Sequence, residues 1–391
     1  MRLSGRVGRI QESATLRVAR RALELKAQGV DLVDFGAGEP DFASPPCAVA
    51  AATHALQSGF TKYTAIAGIP ELRQALAARY AREFGAPWGA AETLITVGGK
   101  GALFESALAL FEEGQEVVTH TPTWVSFVEQ IRFAGADVVE VPTDGAEGFA
   151  IRAEPIVNAL TPRTRAVILN SPCNPTGGVI EPGDRRRIVE ACAARDILVI
   201  SDETYERFVY DGFAAGSAAE LAAEYPETVV VVGSFSKTYA MTGWRLGYLL
   251  GPRELVDAAC RIQGHATSNP TSFAMKGALA ALEGAEADVE AMIAEYALRR
   301  DLLIPRLNAL PGVCCAAPKG AFYAFPDVSA CLGPRFATPT ELAERLLEEE
   351  AVAIVAGEAF GSDRHVRISF ACSRASLEEG MSRMARFFAK R

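Results

Sequence analysis

Residues 233–248 read GSFSKTYAMTGWRLGY, and this stretch decides the fold because it sets one lysine among small hydroxyl residues between two apolar runs. Arg245 follows Lys237 by eight positions. A lysine that binds a phosphate-bearing aldehyde covalently must lose its proton near neutral pH, although its free pKa is about 10.4. The hydroxyl groups and the arginine would hold the phosphate. The pattern predicts Lys237 in a loop before a buried strand over residues 245–250, with a solvated surface lysine as the alternative.

Short apolar runs alternate with helical patterns upstream of this lysine. The runs are rich in Val, Ile and Leu, and they lie at residues 93–97, 116–119, 137–141, 166–170, 198–201 and 229–233. Continuous apolar strands separated by helices indicate a mostly parallel α/β sheet covered by helices on both faces. In such sheets, ligands bind at the carboxyl ends of the strands.

The C-terminal part of the chain has a different pattern. Long helices are expected over residues 252–309, with a break near residues 268–270. Beyond them the sequence predicts short strands at residues 321–325, 352–355 and 366–370. It also predicts two amphipathic helices, at residues 339–350 and 377–390. This α+β composition predicts a second, smaller domain.

Composition limits the classes of function. The 391 residues are 49% hydrophobic and 22% charged, which is enough for two globular domains. The net charge of -9 and the lack of a Lys/Arg-rich block disfavour nucleic acid and anionic membranes as partners. The first eleven residues lack the apolar core of a signal peptide, so we expect a soluble, cytoplasmic protein.

The eight cysteines and four histidines show no metal-ligand spacing. There is no C-x-x-C pair, and adjacent Cys314 and Cys315 are too close for an easy disulfide. We expect reduced cysteines with packing roles and no metal site.

Polar motifs follow several predicted strands. Gly98-Gly99-Lys100-Gly101 stands between a strand and a helix, where glycines let backbone amides approach a phosphate. The third glycine of a dinucleotide-binding fingerprint is missing, which disfavours a nicotinamide-dependent dehydrogenase. Residues 171–178 (SPCNPTGG) form a rigid turn that aims Asn174, and Asp202 ends another strand. A buried aspartate needs a cationic partner, such as a protonated pyridine nitrogen.

Together these motifs resemble those of class I aminotransferases, the pyridoxal-5′-phosphate (PLP) enzymes of fold type I. Matching segments occur in the family's order from residues 36–42 (GAGEPDF) to residues 366–370 (VRISF), and the chain is most similar to the bacterial aspartate aminotransferase-like branch. The resemblance implies a large PLP-binding domain over residues 45–285 and a small domain made of residues 1–44 and 286–391. It also implies a homodimer with shared active sites.

The resemblance implies roles for individual residues. Lys237 would bind the PLP aldehyde and act as the catalytic base, while Asp202 would pair with the ring nitrogen. Tyr205 and Asn174 would hydrogen-bond the ring oxygen. Further cofactor contacts are expected from Gly99, Lys100, Gly101, Trp124, Ser234, Ser236, Arg245 and, across the subunit boundary, Tyr63. The substrate would be held by Arg367, which binds its α-carboxylate, and by Gly38, Lys100, Trp124, Asn174 and Thr15.

Each motif residue also has a purely structural explanation. Asn174 would belong only to a turn, Asp202 would cap a following helix, and Trp124 would pack in the core. Arg367 would form an internal salt bridge, and Lys100 would pair with the cofactor phosphate or a surface acid. The agreement in order and position favours the functional alternative for the group as a whole.

The implied reaction moves the α-amino group of an L-amino acid to a 2-oxo acid such as 2-oxoglutarate by a ping-pong mechanism. Lys100 and Thr15 match the aspartate-active branch and favour aspartate or glutamate. Members that also act on prephenate carry a basic residue where this chain has Gln11, and a proline where it has Glu12, so prephenate is not favoured.

Other reactions on the same scaffold stay open, namely transamination of aromatic or aliphatic amino acids and β-elimination by a PLP-dependent lyase. A ligand-sensing regulator is disfavoured, because only about forty residues precede the large domain and they include no basic recognition helix.

Overall fold

The computed structural model describes residues 3–11, 14–214 and 216–390, without the side chains of residues 14–19 and 26. The helices in this part of the chain are α1 (Ala14–Ala27), α2 (Pro46–Gln57), α3 (Pro70–Phe84), α4 (Gly98–Leu110), α5 (Val125–Ala134), α6 (Ala153–Asn158), α7 (Pro182–Ala193), α8 (Phe235–Thr238), α9 (Arg253–Ala266), α10 (Ser272–Gly284), α11 (Glu286–Asn308), α12 (Pro339–Glu350) and α13 (Arg374–Ala389). The strands are β1 (Val33–Asp34), β2 (Thr93–Thr96), β3 (Glu116–Thr121), β4 (Asp137–Pro142), β5 (Thr164–Asn170), β6 (Leu198–Asp202), β7 (Val229–Ser234), β8 (Gly247–Leu250), β9 (Tyr323–Ala324), β10 (Val352–Ala353), β11 (Val355–Ala356) and β12 (Val366–Ser369).

A seven-stranded sheet lies at the centre, with the strand order β2-β8-β7-β6-β5-β3-β4. Strands β3 to β7 pair in parallel, whereas β8 runs antiparallel to both β7 and β2. The β7–β8 connection carries only one-turn helical segments, and a parallel crossover needs a longer connection. The mostly parallel α/β sheet expected from the sequence is therefore confirmed.

Both faces of this sheet are buried, which explains its continuous apolar strands. In β7, Val229 and Val231 pack into one core cluster, and Val230 and Val232 pack into another on the opposite face. All four valines are fully buried. Because successive side chains of a strand point to opposite faces, only an uninterrupted apolar run fills both layers.

A second core forms around the C-terminal strands. β1 pairs in parallel with β10, so the N-terminal segment joins this part of the chain. β9, β12 and β11 form a small antiparallel sheet beneath α11, α12 and α13. The two-domain division with boundaries at residues 44/45 and 285/286 stays a prediction. Tyr205 and Phe208, which lie between these boundaries in sequence, also enter the second core.

The strand expected over residues 245–250 begins two residues later. Arg245 has a φ of 54°, in the left-handed region that an extended strand excludes. Within the part of the chain that the structure describes, no helix is long and apolar enough to cross a membrane.

Candidate active site

A cavity of about 570 Å³ lies at the carboxyl ends of β5, β6 and β7, beside the N-terminus of α4. Most of the residues singled out from the sequence line it: Gly38, Gly99, Lys100, Trp124, Asn174, Asp202, Tyr205, Ser234, Ser236, Lys237, Arg245 and Arg367. These residues are far apart in sequence, and the parallel strands bring them to one edge of the sheet.

Lys237 lies in α8, a single helical turn, and not in the loop expected from the sequence. Ser234 caps this turn, because its hydroxyl oxygen accepts a hydrogen bond from Ser236 N at 3.0 Å. A stretch rich in serine and glycine does not predict such a helical turn. The Lys237 Nζ donates to the carbonyl oxygen of Gly38. Burial lowers the pKa of Lys237 to about 8, and the nearby cations Arg367, Arg245 and Lys100 act in the same direction. The ammonium group is therefore easier to deprotonate than a surface lysine.

Asp202 ends β6 and is almost fully buried, at 3% exposure. Its Oδ1 accepts a hydrogen bond from Thr204 N at 3.0 Å, but turns rather than a helix follow the strand, so helix capping does not explain it. Burial raises the pKa of Asp202 to about 6, opposed by the Thr204 hydrogen bonds and the charge of Lys237. The carboxylate is ionised at neutral pH and faces a cavity that would seat a cation.

Asn170, which the sequence analysis did not single out, ties two predicted site residues together. Its Nδ2 donates to the Asp202 carbonyl at 3.2 Å, and its Oδ1 accepts from Asn174 N at 2.9 Å. Asn170 N donates to the Nε2 of His120, whose pKa burial lowers to about 4. A neutral imidazole is required there, because only an unprotonated Nε2 accepts a hydrogen bond.

Arg367 enters the cavity from β12 and is 2% exposed. Its guanidinium donates to Asn174 Oδ1 at 3.0 Å and to the carbonyl of Gly36 at 2.8 Å. Its Nε has no hydrogen-bond partner, and no carboxylate of the described residues lies within 4.0 Å. Burial lowers the pKa of Arg367. Among the described residues, the positive charge of Arg367 is therefore not stabilised by a salt bridge. A planar anion such as a carboxylate would complete the hydrogen bonding of its guanidinium.

Four glycines and one arginine shape the end of the cavity next to α4. A Cβ added to Gly247 would lie 2.2 Å from Gly99 N, so the two backbones are in direct contact. A Cβ on Gly99 would come within 3.3 Å of the Gly233 carbonyl. Arg245 donates to the Thr242 carbonyl at 2.8 Å and reaches towards Gly98. Backbone amides at a helix N-terminus and a nearby arginine suit a phosphate.

Lys100 and Trp124 form one wall. The Lys100 ammonium lies 4.8 Å from the centre of the Trp124 ring, a cation–π contact. Burial lowers the pKa of Lys100, and Arg245 lowers it further. Trp124 also packs edge-on against Phe127 of the core, as its structural explanation requires, and its stacking on a cofactor ring stays a prediction.

Two expected residues of the described part of the chain do not line the cavity. Gly101 faces Thr96 of β2 and Glu105 of α4, and Tyr63 is 90% exposed. The side chain of Thr15 in α1, like the whole of Glu12, lies outside the described residues. Conversely, the structure adds lining residues to which the sequence analysis gave no role, namely Leu23, Asp34, Gly36, Ala37, Glu39, Asn170, Thr204, Thr242 and Tyr323. Asn170 carried a usable signal, since it is the polar last residue of an apolar strand.

Comparison with known proteins places this geometry in a family. The family model for aminotransferase class I and II matches residues 30–384. The chain belongs to this family. As a class I and II aminotransferase it has relatives along its whole length: the aspartate aminotransferase of Geobacillus stearothermophilus is 41% identical, covering 100% of both chains. The aspartate/prephenate aminotransferase of Thermus thermophilus is 43% identical, covering 98% of both.

Solved structures agree with this assignment to the aminotransferases. A structure titled aspartate aminotransferase from Thermus thermophilus with maleate has a TM-score of 0.94 at 43% identity, over 99% of this chain and 100% of that one. The aspartate aminotransferase of Rhizobium meliloti gives a TM-score of 0.93 at 37% identity, over 99% and 98%. The resemblance read from the motifs and the fold type I architecture are both confirmed. PLP is the cofactor of this family.

Proposed function

We propose that this aminotransferase binds PLP at Lys237 and transfers the α-amino group of aspartate or glutamate to a 2-oxo acid such as 2-oxoglutarate. The observation that carries the proposal is the arrangement of charge in one cavity. A lysine with a lowered pKa lies among a buried carboxylate, Asp202, and two cationic groups suited to carboxylates, Arg367 and Lys100.

The cavity fits PLP at each end. The glycine backbones, Ser234, Ser236 and Arg245 would hold the phosphate, and the buried carboxylate of Asp202 would hold the ring nitrogen. When bound, PLP supplies an aldehyde that condenses with amines and a ring that withdraws electrons from the substrate Cα. The Trp124 face would stack on the ring.

The protein's own groups then have defined tasks. Arg367 binds the α-carboxylate through the edge of its guanidinium that carries Nε, which has no other hydrogen-bond partner among the described residues. Asn174 fixes the orientation of that guanidinium. This holds the substrate Cα beside Lys237. The Lys237 amine would act as the base that accepts the Cα proton and as the acid that returns it, and the Asp202 carboxylate would keep the ring nitrogen of PLP protonated.

The substrate assignment rests on Lys100 and on the relatives, which are named for aspartate. A stopped-flow mixing experiment tests it: the PLP-loaded enzyme receives single amino acids without an oxo acid. We expect rapid bleaching of the yellow band with aspartate or glutamate, and recovery with 2-oxoglutarate. Bleaching only by aromatic or aliphatic amino acids would reassign the substrate, and release of pyruvate and ammonia without bleaching would indicate a lyase.

Replacing Lys100 by alanine should lower kcat/KM for aspartate about 10- to 100-fold, because a charge-assisted hydrogen bond to the side-chain carboxylate is lost. Alanine as substrate, which has no such carboxylate, should lose less than about threefold. Lys319→Ala, at an exposed surface ion pair with Glu181, is the matched control. Equal losses for aspartate and alanine would show that Lys100 serves the cofactor.

The pH dependence of PLP uptake tests the environment of Lys237. Only the neutral amine attacks the aldehyde, so the rate at which the apoenzyme attaches PLP should rise with pH through about 8 and level off above it. Glu39→Gln should shift the midpoint downwards, because Glu39 raises the pKa of Lys237. A midpoint near the pKa of free lysine would contradict the desolvated site.

We also propose a homodimer in which Tyr63 reaches the phosphate of the neighbouring subunit. Its 90% exposure supports this role, because a large aromatic side chain gains from burial against a second copy. Within its own chain, Tyr63 lies outside the cavity-lining set.

A further inference from the structure

A second tyrosine stands behind Tyr205. The hydroxyl oxygens of Tyr205 and Tyr323 are 2.8 Å apart, and both side chains are buried. Burial raises the pKa of each, so both keep their protons across the neutral range. The contact is therefore between two neutral hydroxyl groups, of which one donates and the other accepts.

Strand pairing brings Tyr323 to Arg367 as well. Tyr323 of β9 is opposite Ser369 of β12, and Arg367 lies two residues from Ser369 on the same face of that strand. The Arg367 guanidinium lies 4.5 Å from the centre of the Tyr323 ring. Tyr323 thus touches both Arg367, which is proposed to bind the substrate α-carboxylate, and Tyr205, which is proposed to bind the cofactor ring oxygen.

We infer that Tyr323 is a positioning residue whose hydroxyl donates to Tyr205 and whose ring supports Arg367. The inference rests on the proposed function. Tyr205 has one proton, and donating it to the ring oxygen of PLP leaves the Tyr205 oxygen as an acceptor. Tyr323 must then be the donor in the 2.8 Å contact. Hydrogen bonds in such a chain polarise one another, so Tyr323 strengthens the donation by Tyr205.

Two substitutions separate the two tasks. Tyr323→Phe removes the hydroxyl and keeps the ring over Arg367, whereas Tyr323→Leu removes both. Tyr210→Phe is the matched control, because Tyr210 is a buried tyrosine of the same core cluster whose hydroxyl donates to the Ala321 carbonyl away from the cavity.

The experiment uses enzyme loaded with PLP and has two readouts besides activity. The first is the pH midpoint of the cofactor absorbance change. A weaker donor stabilises the negative ring oxygen less, so this midpoint should rise by about half a pH unit in Tyr323→Phe. The second is the calorimetric Kd of maleate, a dicarboxylate without an amino group. It should stay within about twofold in Tyr323→Phe and weaken about five- to thirtyfold in Tyr323→Leu.

The Tyr210→Phe control should match the wild type in both measurements. An unchanged midpoint in Tyr323→Phe, with normal PLP uptake by the wild type, would overturn this inference and leave the proposed function standing. Failure of the wild type to attach PLP would overturn both. The kinetic constants test the same inference. Tyr323→Phe should lower kcat with little change in KM, whereas Tyr323→Leu should lower kcat and also raise KM.

Discussion

Lys237→Ala is expected to abolish transamination, lowering kcat with aspartate by at least about 10⁴-fold. The variant loses both the amine that attaches PLP and the base that moves the Cα proton, and positioned proton transfer alone contributes about 10²–10⁴-fold. PLP should still bind without a covalent link, because the phosphate and ring contacts stay. Single-turnover absorbance measurements with aspartate, with and without prior PLP loading, check both statements.

Misfolding is a separable explanation for such a loss. In the apoenzyme, Lys237 places a buried positive charge near Arg245, Arg367 and Lys100, so its removal should leave the Tm equal to or above that of the wild type. Lys319→Ala should retain wild-type kinetics. Transamination at normal speed by Lys237→Ala would refute the assignment of the base.

Asp202→Asn is expected to lower kcat about 10²- to 5 × 10³-fold, since breaking a buried ion pair costs about 3–5 kcal/mol. An asparagine keeps an oxygen that accepts from Thr204 N, so the substitution removes the charge and little else. Glu203→Gln is the matched control. Glu203 is an adjacent buried carboxylate, but it accepts from Ser217, Ser201 and Ala218 instead of facing the cavity.

The apoenzyme gives an independent check on Asp202. Its folded pKa of about 6 is above the ordinary value of 3.8, so its contribution to stability is present at low pH and is lost as pH rises through about 6. Asp202→Asn should remove this loss, and the Tm difference between variant and wild-type apoenzyme should grow between about pH 4 and 6. A constant difference, together with kcat near that of Glu203→Gln, would contradict the proposed role.

Much of the fold was predictable because its signals are local. Each run of β-branched residues fills two faces of a sheet, as Val229 to Val232 do, and this leaves a pattern in the sequence. The site motifs were predictable for a related reason. Asp202 ends β6, Asn174 and Lys237 lie within a turn of the ends of β5 and β7, and strand ends meet at one edge of a parallel sheet.

The missed features depend on contacts between distant segments. Tyr323 sits in an apolar run that reads as core, and only the pairing of β9 with β12 brings it to Arg367. The side chain of Asn170 joins the end of β6, at Asp202, to the turn that carries Asn174, and the spacing of these residues in the sequence does not reveal the contact with Asp202. The helical turn at Lys237 and the left-handed backbone of Arg245 both lie in the short connection between β7 and β8. Sequence patterns that distinguish strands from loops do not predict such short irregular features.

The backbone contact between Gly247 and Gly99 limits how this enzyme can be redesigned. A library that randomises Gly247 should return glycine almost exclusively, because a Cβ on that residue would lie 2.2 Å from Gly99 N. Altered substrate preference is therefore expected from side chains that line the cavity elsewhere, such as Leu23, Glu39 and Lys100. The end of the cavity beside Gly247 and Gly99, proposed for the cofactor phosphate, thus tolerates little change in sequence. Selection for a new substrate specificity should act on the residues at the end proposed for the substrate.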